Sequence, residues 1–166
     1  LKIIIIYSSM TFVIFVILNL IDIRTFNSLN LSMTIISSGG FLPVNNSDSL
    51  FQSDFSKVTL SILILSSYFS LFLIYNLVFF KSKNLSYFSE DLYLAIYLTI
   101  VIAISFVLFS YDNDFLNILV SISSSVSNLG ISFENIPSNL TLIFLILVII
   151  GGSFFSTSSG LRFLKI

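Results

Sequence analysis

The stretch Ser37-Ser38-Gly39-Gly40-Phe41 and, ninety residues later, the stretch Ser127-Asn128-Leu129-Gly130-Ile131 decide the interpretation of this sequence. A short, semi-apolar segment precedes each stretch, at residues 29–36 and at residues 115–126, and a polar segment follows each. Both semi-apolar segments are far too short to cross a bilayer, which needs about 17–25 residues. Glycine allows the backbone to turn sharply. The pattern therefore predicts two half-helices that enter a membrane and stop at glycine-centred turns.

The distribution of the glycines supports this interpretation. Two of the six glycines mark the first turn, one marks the second, and three lie in the final segment. Glycines that only help membrane helices to pack would be scattered inside those helices. Irregular backbone at membrane depth is tolerated where it is buried in protein or lines a water-filled cavity. The alternative is an external loop with a surface helix and a glycine turn.

Long apolar runs surround these segments, at residues 3–21, at residues 58–80, at residues 92–109 and from about residue 140 to residue 150. The chain of 166 residues is 56% hydrophobic and only 9% charged, whereas soluble domains carry about 25% charged residues. The fold class predicted is an all-α membrane protein with four spanning helices and two re-entrant half-helices. A signal peptide is the alternative interpretation of the first run.

The runs divide the chain into two membrane–pore–membrane repeats. The first repeat covers residues 1–83, with a pore loop at about residues 27–48. The second covers residues 84–166, with a pore loop at about residues 114–136. Two such repeats cannot close a pore with four-fold pseudosymmetry, so we expect either further repeats of the same protein or a second copy in a homodimer. Membrane lipid would surround the assembly.

Composition excludes several classes of function. The chain has no Cys and no His, so zinc sites, disulfide frameworks and His-based triads are excluded. With 7 basic and 8 acidic residues, it lacks the basic surplus that a nucleic-acid partner requires. No acid, Lys or His lies inside an apolar run, and no nucleophile–base pair is visible. We therefore expect neither an enzyme nor a bound cofactor.

Charge predicts how the chain is oriented. If the runs alternate in direction, five of the seven basic residues fall on one side, which the positive-inside rule makes cytoplasmic. These residues are Lys2, Lys81, Lys83, Arg162 and Lys165. The opposite side is acidic and could attract cations.

The final segment predicts a break in the fourth run. Its residues are Gly151, Gly152, Ser153, Phe154, Phe155, Ser156, Thr157, Ser158, Ser159, Gly160, Leu161 and Arg162. Glycine and serine at this depth favour an unwound stretch, and residues 151–160 could act as a gate. The alternative is a helix end capped by Gly160.

Together these motifs resemble the TrkH-type membrane subunit of the Trk/Ktr/HKT potassium transporter superfamily. Ser37-Ser38-Gly39-Gly40-Phe41 is similar to the STGGF-like filter of that family, and Ser127-Asn128-Leu129-Gly130-Ile131 is similar to its TTTGF-like filter. The run from Gly151 is similar to GGxxGSTAGGIK. The order matches across almost the whole chain. Asn128, Leu129 and Ile131 depart from the family pattern, which leaves the ion selectivity open.

The resemblance implies a fold, an activity and a partner. This chain would be the second and third of four membrane–pore–membrane repeats around one pore in a bacterial inner membrane. It would take up K⁺, with Na⁺ as the other candidate ion, through a filter at residues 37–41 and 127–131. The loop at residues 151–160 would gate the pore. A cytoplasmic nucleotide-binding ring of the TrkA/KtrA type would regulate it.

Two other functions fit parts of the pattern. A non-conducting hydrophobic accessory subunit of a membrane complex would also be apolar, but it does not require paired glycine turns. A secondary carrier would have broken helices, and its repeats would be inverted. The repeats here each contain an even number of apolar runs, so they are parallel, which favours a pore.

Overall fold

The computed structural model describes residues 2–44, 50–51, 53–69, 86–109, 115–131, 141–150, 152 and 156–158. Within these residues the regular structure consists of six helices and no strand, which confirms the all-α class for this part of the chain. The helices are α1 (Lys2–Leu20), α2 (Thr25–Ser37), α3 (Asp54–Ser66), α4 (Ser86–Phe109), α5 (Phe115–Val126) and α6 (Thr141–Ile149). In the described residues, no helix combines the length and the apolar character that crossing a bilayer requires.

Each predicted segment contains a helix, but the bounds differ: α2 begins four residues before the predicted first half-helix at 29–36, and α4 begins six residues before the run at 92–109. Helices α1, α4 and α6 lie on the first, third and fourth apolar runs, and α5 has the bounds predicted for the second half-helix. The prediction of one helix over residues 58–80 is wrong at residues 67–69, because α3 begins at Asp54 and ends at Ser66; residues 70–80 lie outside the described residues. Ser53 caps its start, since the Ser53 hydroxyl accepts a hydrogen bond from the Ser56 N–H at 3.2 Å.

At the end of α3, the polar groups of the last turn form local hydrogen bonds. The hydroxyls of Ser66 and Ser67 donate to the carbonyls of Leu63 and Ile64, at 2.6 and 2.7 Å. The N–H of Tyr68 then bonds to a carbonyl three residues back, at 3.1 Å, which tightens the backbone beyond α-helical geometry. Hydropathy does not report such local bonds, so the apolar run alone predicts a longer helix.

Three of the helices end in the same way. After α1, α2 and α5 a polar residue adopts the left-handed conformation, with φ of 62° at Asp22, 49° at Ser38 and 60° at Asn128. In each case the next N–H bonds to the carbonyl five residues earlier, at 3.4, 3.1 and 2.8 Å. This is the Schellman closure, which satisfies carbonyls that the helix leaves unpaired.

Helix α5 lies at the centre of the described helices. It packs against α3, α4 and α6, while α1 packs against α2. Most of its residues are buried, including Ser121, Ser123 and Ser124. The hydroxyls of Ser121 and Ser123 donate to backbone carbonyls one turn earlier, both at 2.8 Å. The serine hydroxyls of α5 are therefore hydrogen-bonded although the helix is buried.

Two apolar clusters meet on α5. The first joins α1, α2 and α3 to Val120, and the second joins α4 and α6 to Ile118, Ile122 and Val126. The outward faces are also apolar, since large hydrophobic side chains are exposed along α1, α4 and α6. On α1 and α4 these are Ile4, Ile5, Phe12, Val13, Val16, Leu20, Leu92, Tyr93, Ile96, Ile100, Ile104, Phe106 and Val107. Apolar surface of this extent is typical of a contact with lipid or with another protein.

Candidate functional site

The two glycine-centred turns have the same backbone geometry at equivalent positions. Gly40 and Gly130 both lie in the left-handed region, with φ of 71° and 74°. Two residues before each glycine, Ser38 and Asn128 are also left-handed. The sequence alone predicts that Gly40 and Gly130 correspond, and their backbone conformations agree with that prediction. Side chains other than glycine adopt this region at a cost of about 1–2 kcal/mol.

A hydroxyl on the last turn of each half-helix fixes the segment after the glycine. The Thr34 hydroxyl donates to the carbonyl oxygen of Phe41 at 2.8 Å. The Ser124 hydroxyl accepts from the N–H of Ile131 at 2.6 Å. Thr34 and Ser124 are both buried, and each lies six residues before the glycine of its turn. The two hydroxyls therefore occupy equivalent places, but one binds a carbonyl and the other an N–H.

The two turns contact each other through backbone atoms. A Cβ built on Gly40 would lie 2.7 Å from the carbonyl oxygen of Leu129. Real Cβ atoms do not approach a backbone oxygen so closely, so a side chain at this position would push the turns apart. Around Gly130 no heavy atom of the described residues lies within 4 Å of the equivalent position. The first turn is thus closed by its neighbour on this side, while the second has no such neighbour among the described residues.

The side chains that flank the turns differ sharply in burial. The side chain of Phe41 is 79% exposed, whereas Leu129 and Ile131 are only 1% and 2% exposed and belong to the first apolar cluster. Gly39, Gly40 and Gly130 are exposed along with Phe41. The second turn is therefore anchored by its side chains, whereas the first turn exposes its two glycines, Ser37 and the Phe41 ring.

The predicted gate segment leaves the helical conformation where the sequence indicates a break. Helix α6 ends at Ile149, before the glycine pair. Gly152 is buried, and its N–H donates to the Ser158 hydroxyl at 3.1 Å. A Cβ on Gly152 would lie 2.6 Å from both the Ser156 hydroxyl and the Tyr68 carbonyl oxygen, and it would also contact the Ser158 hydroxyl. The two hydroxyls can rotate away, but the Tyr68 carbonyl oxygen belongs to the backbone, so its close approach favours glycine at this position.

Thr157 forms the hydrogen bonds that link the predicted gate segment to the predicted first repeat. Its N–H and its hydroxyl both donate to the carbonyl oxygen of Ser67, at 3.3 and 3.1 Å. The carbonyl oxygen of Thr157 in turn accepts a hydrogen bond from the Ser38 hydroxyl at 3.3 Å. Since Ser38 is the left-handed residue of the first turn, the gate segment lies directly against that turn. The structure thus brings together three motifs that are far apart in sequence.

Some predicted residues fall outside the described part of the chain. These are Gly151, Ser153, Phe154, Phe155, Gly160 and Arg162 of the gate segment, together with Lys81, Lys83 and Lys165. Thr34, Ser124 and Ser67 belong to the site but are not predicted by the sequence motifs. For Thr34 and Ser124 a signal was present, because a hydroxyl precedes the glycine by the same six residues in both repeats. Ser67 offers no such signal, since its carbonyl acts through the backbone.

No family model, curated protein or solved structure matches this chain. The chemistry of the site is therefore argued from its own geometry. Among the described residues, the left-handed turns, the exposed backbone and the adjacent hydroxyls supply neutral oxygen atoms, and the turns themselves contain no acidic side chain. Such a set of neutral oxygens suits a weakly held, hard cation rather than a tightly bound metal ion.

Proposed function

We propose that this chain is the membrane subunit of a cation uptake channel or transporter, with K⁺ as its ion. Backbone carbonyls of the two glycine-centred turns would coordinate the ion, and the segment around Gly152 and Thr157 would gate its path. The observation that carries the proposal is the contact between the turns, where the Leu129 carbonyl lies against Gly40. Two turns of equal geometry that meet, with exposed backbone, are what a shared coordination site requires.

Physical chemistry supports a cation rather than an anion at this place. The C-terminal ends of α2 and α5 both adjoin the turns, and a helix C-terminus carries partial negative charge. Carbonyl oxygens in a ring can replace the hydration shell of an alkali ion. Conduction also requires weak binding, which neutral oxygens provide better than carboxylates.

Membrane placement is part of the proposal. It is supported by the uncharged apolar runs of the sequence and by the exposed apolar faces of α1 and α4. The resemblance of the three motifs to the TrkH type extends the proposal to a bacterial inner membrane, to a homodimer or to further repeats in the same protein. The same resemblance extends the proposal to a cytoplasmic nucleotide-binding ring of the TrkA/KtrA type as the regulatory partner.

The proposal is tested by ion flux into liposomes. The protein, expressed from its full natural reading frame, is reconstituted into vesicles of phosphatidylethanolamine and phosphatidylglycerol, and K⁺ entry is measured against Na⁺ entry. We expect K⁺ flux well above that of empty vesicles, and its loss in Gly40→Ala. Ile62→Ala, at an exposed position on α3, is the matched control and should conduct normally.

Two outcomes would count against this function. Flux equal to that of empty vesicles, from protein that is folded and inserted, would favour the non-conducting accessory subunit. Unchanged flux and selectivity in Gly40→Ala would mean that the turns do not line the ion path.

A further inference from the structure

The equivalent hydroxyls of Thr34 and Ser124 form hydrogen bonds of opposite polarity. Thr34 donates to a carbonyl oxygen, that of Phe41, at 2.8 Å. Ser124 accepts from an N–H, that of Ile131, at 2.6 Å. Other hydroxyls on these half-helices, such as those of Ser32 and Ser121, donate to carbonyls of their own helix. Thr34 and Ser124 are therefore distinguished by reaching forward, across the turn.

The bond to Ser124 fixes the direction of a carbonyl that it does not touch. The Ile131 N–H belongs to the peptide group that carries the Gly130 carbonyl. In a planar, trans peptide group the N–H and the C=O point in opposite directions. Since the N–H points at Ser124, the Gly130 carbonyl points away from that side chain. Gly130 itself is exposed, so this carbonyl belongs to the exposed part of the turn.

The bond to Thr34 has the converse effect. It turns the Phe41 carbonyl oxygen toward α2 and occupies one of its lone pairs. By the same planarity, the N–H of Leu42 points away from Thr34. The first turn therefore directs the Phe41 carbonyl oxygen toward α2, whereas the second turn directs the Gly130 carbonyl oxygen away from α5.

We infer that Thr34 and Ser124 are positioning residues that decide which backbone oxygens the two turns offer to a cation: Ser124 directs the Gly130 carbonyl away from α5, and Thr34 directs the Phe41 carbonyl toward α2. The inference rests on the proposed function and deepens it, because it makes the two turns unequal as sources of ligands. The hydrogen bond to Ser124 matters more because residue 130 is glycine. A peptide group next to glycine rotates at little steric cost unless a hydrogen bond fixes it.

The first test concerns Ser124 and does not need ion flux. In Ser124→Ala the Ile131 N–H loses its acceptor, and its hydrogen exchange in detergent micelles should accelerate by about tenfold or more, the equivalent of one hydrogen bond. Ser124→Cys keeps the side-chain volume and offers only a weak acceptor, so it should accelerate exchange without opening a cavity. Ser121→Ala removes another buried hydroxyl from the same helix and should leave exchange at Ile131 unchanged.

The second test measures selectivity in liposomes. Ser124→Ala and Ser124→Cys should lower the ratio of K⁺ to Na⁺ flux by about tenfold, while Ser121→Ala should not change it. Thr34→Val should also change the ratio, because the freed Phe41 carbonyl can then face the ion, and Thr34→Ser should restore it. Thr59→Val, which removes a hydroxyl that bonds within α3 at 2.8 Å, is the matched control.

The outcomes separate this inference from the proposed function. If the wild-type protein carries no cations, the proposed function fails, and the exchange experiment still decides whether Ser124 orients the peptide. If the wild-type protein conducts but exchange at Ile131 is unchanged in Ser124→Ala, the inference is overturned. It is also overturned if exchange accelerates while the K⁺ to Na⁺ ratio stays the same in Ser124→Ala and in Thr34→Val.

Discussion

The carbonyl oxygen of Leu129 lies 2.7 Å from the position that a Cβ on Gly40 would occupy. The two glycine-centred turns therefore meet through main-chain atoms, with no side chain between them. This contact makes the two glycines unequal. Gly40 is required both by its positive φ and by the nearby carbonyl, whereas Gly130 is required by its positive φ alone.

This inequality predicts different effects of alanine at the two positions. Gly130→Ala should cost about 1–2 kcal/mol of unfolding free energy, the penalty for a left-handed alanine. Gly40→Ala should cost about 1–3 kcal/mol more, because the Leu129 carbonyl must move. Thermal or denaturant unfolding in detergent measures both. Equal losses at the two positions would mean that the turns do not touch.

The burial of the flanking side chains predicts another contrast. Leu129→Ala should lower the unfolding free energy by about 2–5 kcal/mol, because it opens a cavity in the first apolar cluster. Phe41→Ala should change it by less than about 0.5 kcal/mol, because the ring is 79% exposed. The same unfolding measurement serves as the check. A larger loss for Phe41→Ala would indicate that another part of the assembly covers this ring.

Thr157 offers a test of the contact between the gate segment and α3. Thr157→Val keeps the shape of the side chain but loses the hydroxyl bond to Ser67, at a cost of about 1 kcal/mol. If the segment gates the pore, basal cation leak into liposomes should rise. Thr99→Val, which removes a hydroxyl that bonds within α4 at 2.8 Å, should leave the leak unchanged. A similar leak in both variants would argue against a gating role for Thr157.

The orientation of α1 can be measured because the chain has no cysteine. The positive-inside rule predicts that Lys2 is cytoplasmic and that Arg24, just beyond the other end of α1, lies outside. In intact cells a membrane-impermeant maleimide should label Arg24→Cys, which is at an exposed position. Lys2→Cys should react only after permeabilisation. Labelling of both residues before permeabilisation would contradict a crossing by α1.

Much of the secondary structure could be predicted from the sequence. Helix α5 begins and ends at the predicted residues, and α6 ends next to the predicted break, because apolar periodicity and glycine placement act locally. Helix α3 was predicted to be ten or more residues longer than it is. At its end the Tyr68 N–H bonds to the Leu65 carbonyl, and the Ser67 carbonyl accepts hydrogen bonds from Thr157; hydropathy contains neither.

The residue types and their order along the chain are enough to predict that the described part is helical, that two glycine-centred turns follow short helices, and that a third glycine-rich segment lies beyond the end of α6. These properties follow from residue types and from their separation along the chain. Only the tertiary structure decided that Leu129 contacts Gly40, that Thr157 contacts Ser38 and Ser67, and that Thr34 and Ser124 bind opposite backbone groups. The reason is that these relationships involve main-chain atoms of distant segments or the direction of a single hydroxyl. Every residue has the same main-chain atoms, so only the folded backbone shows which of them meet.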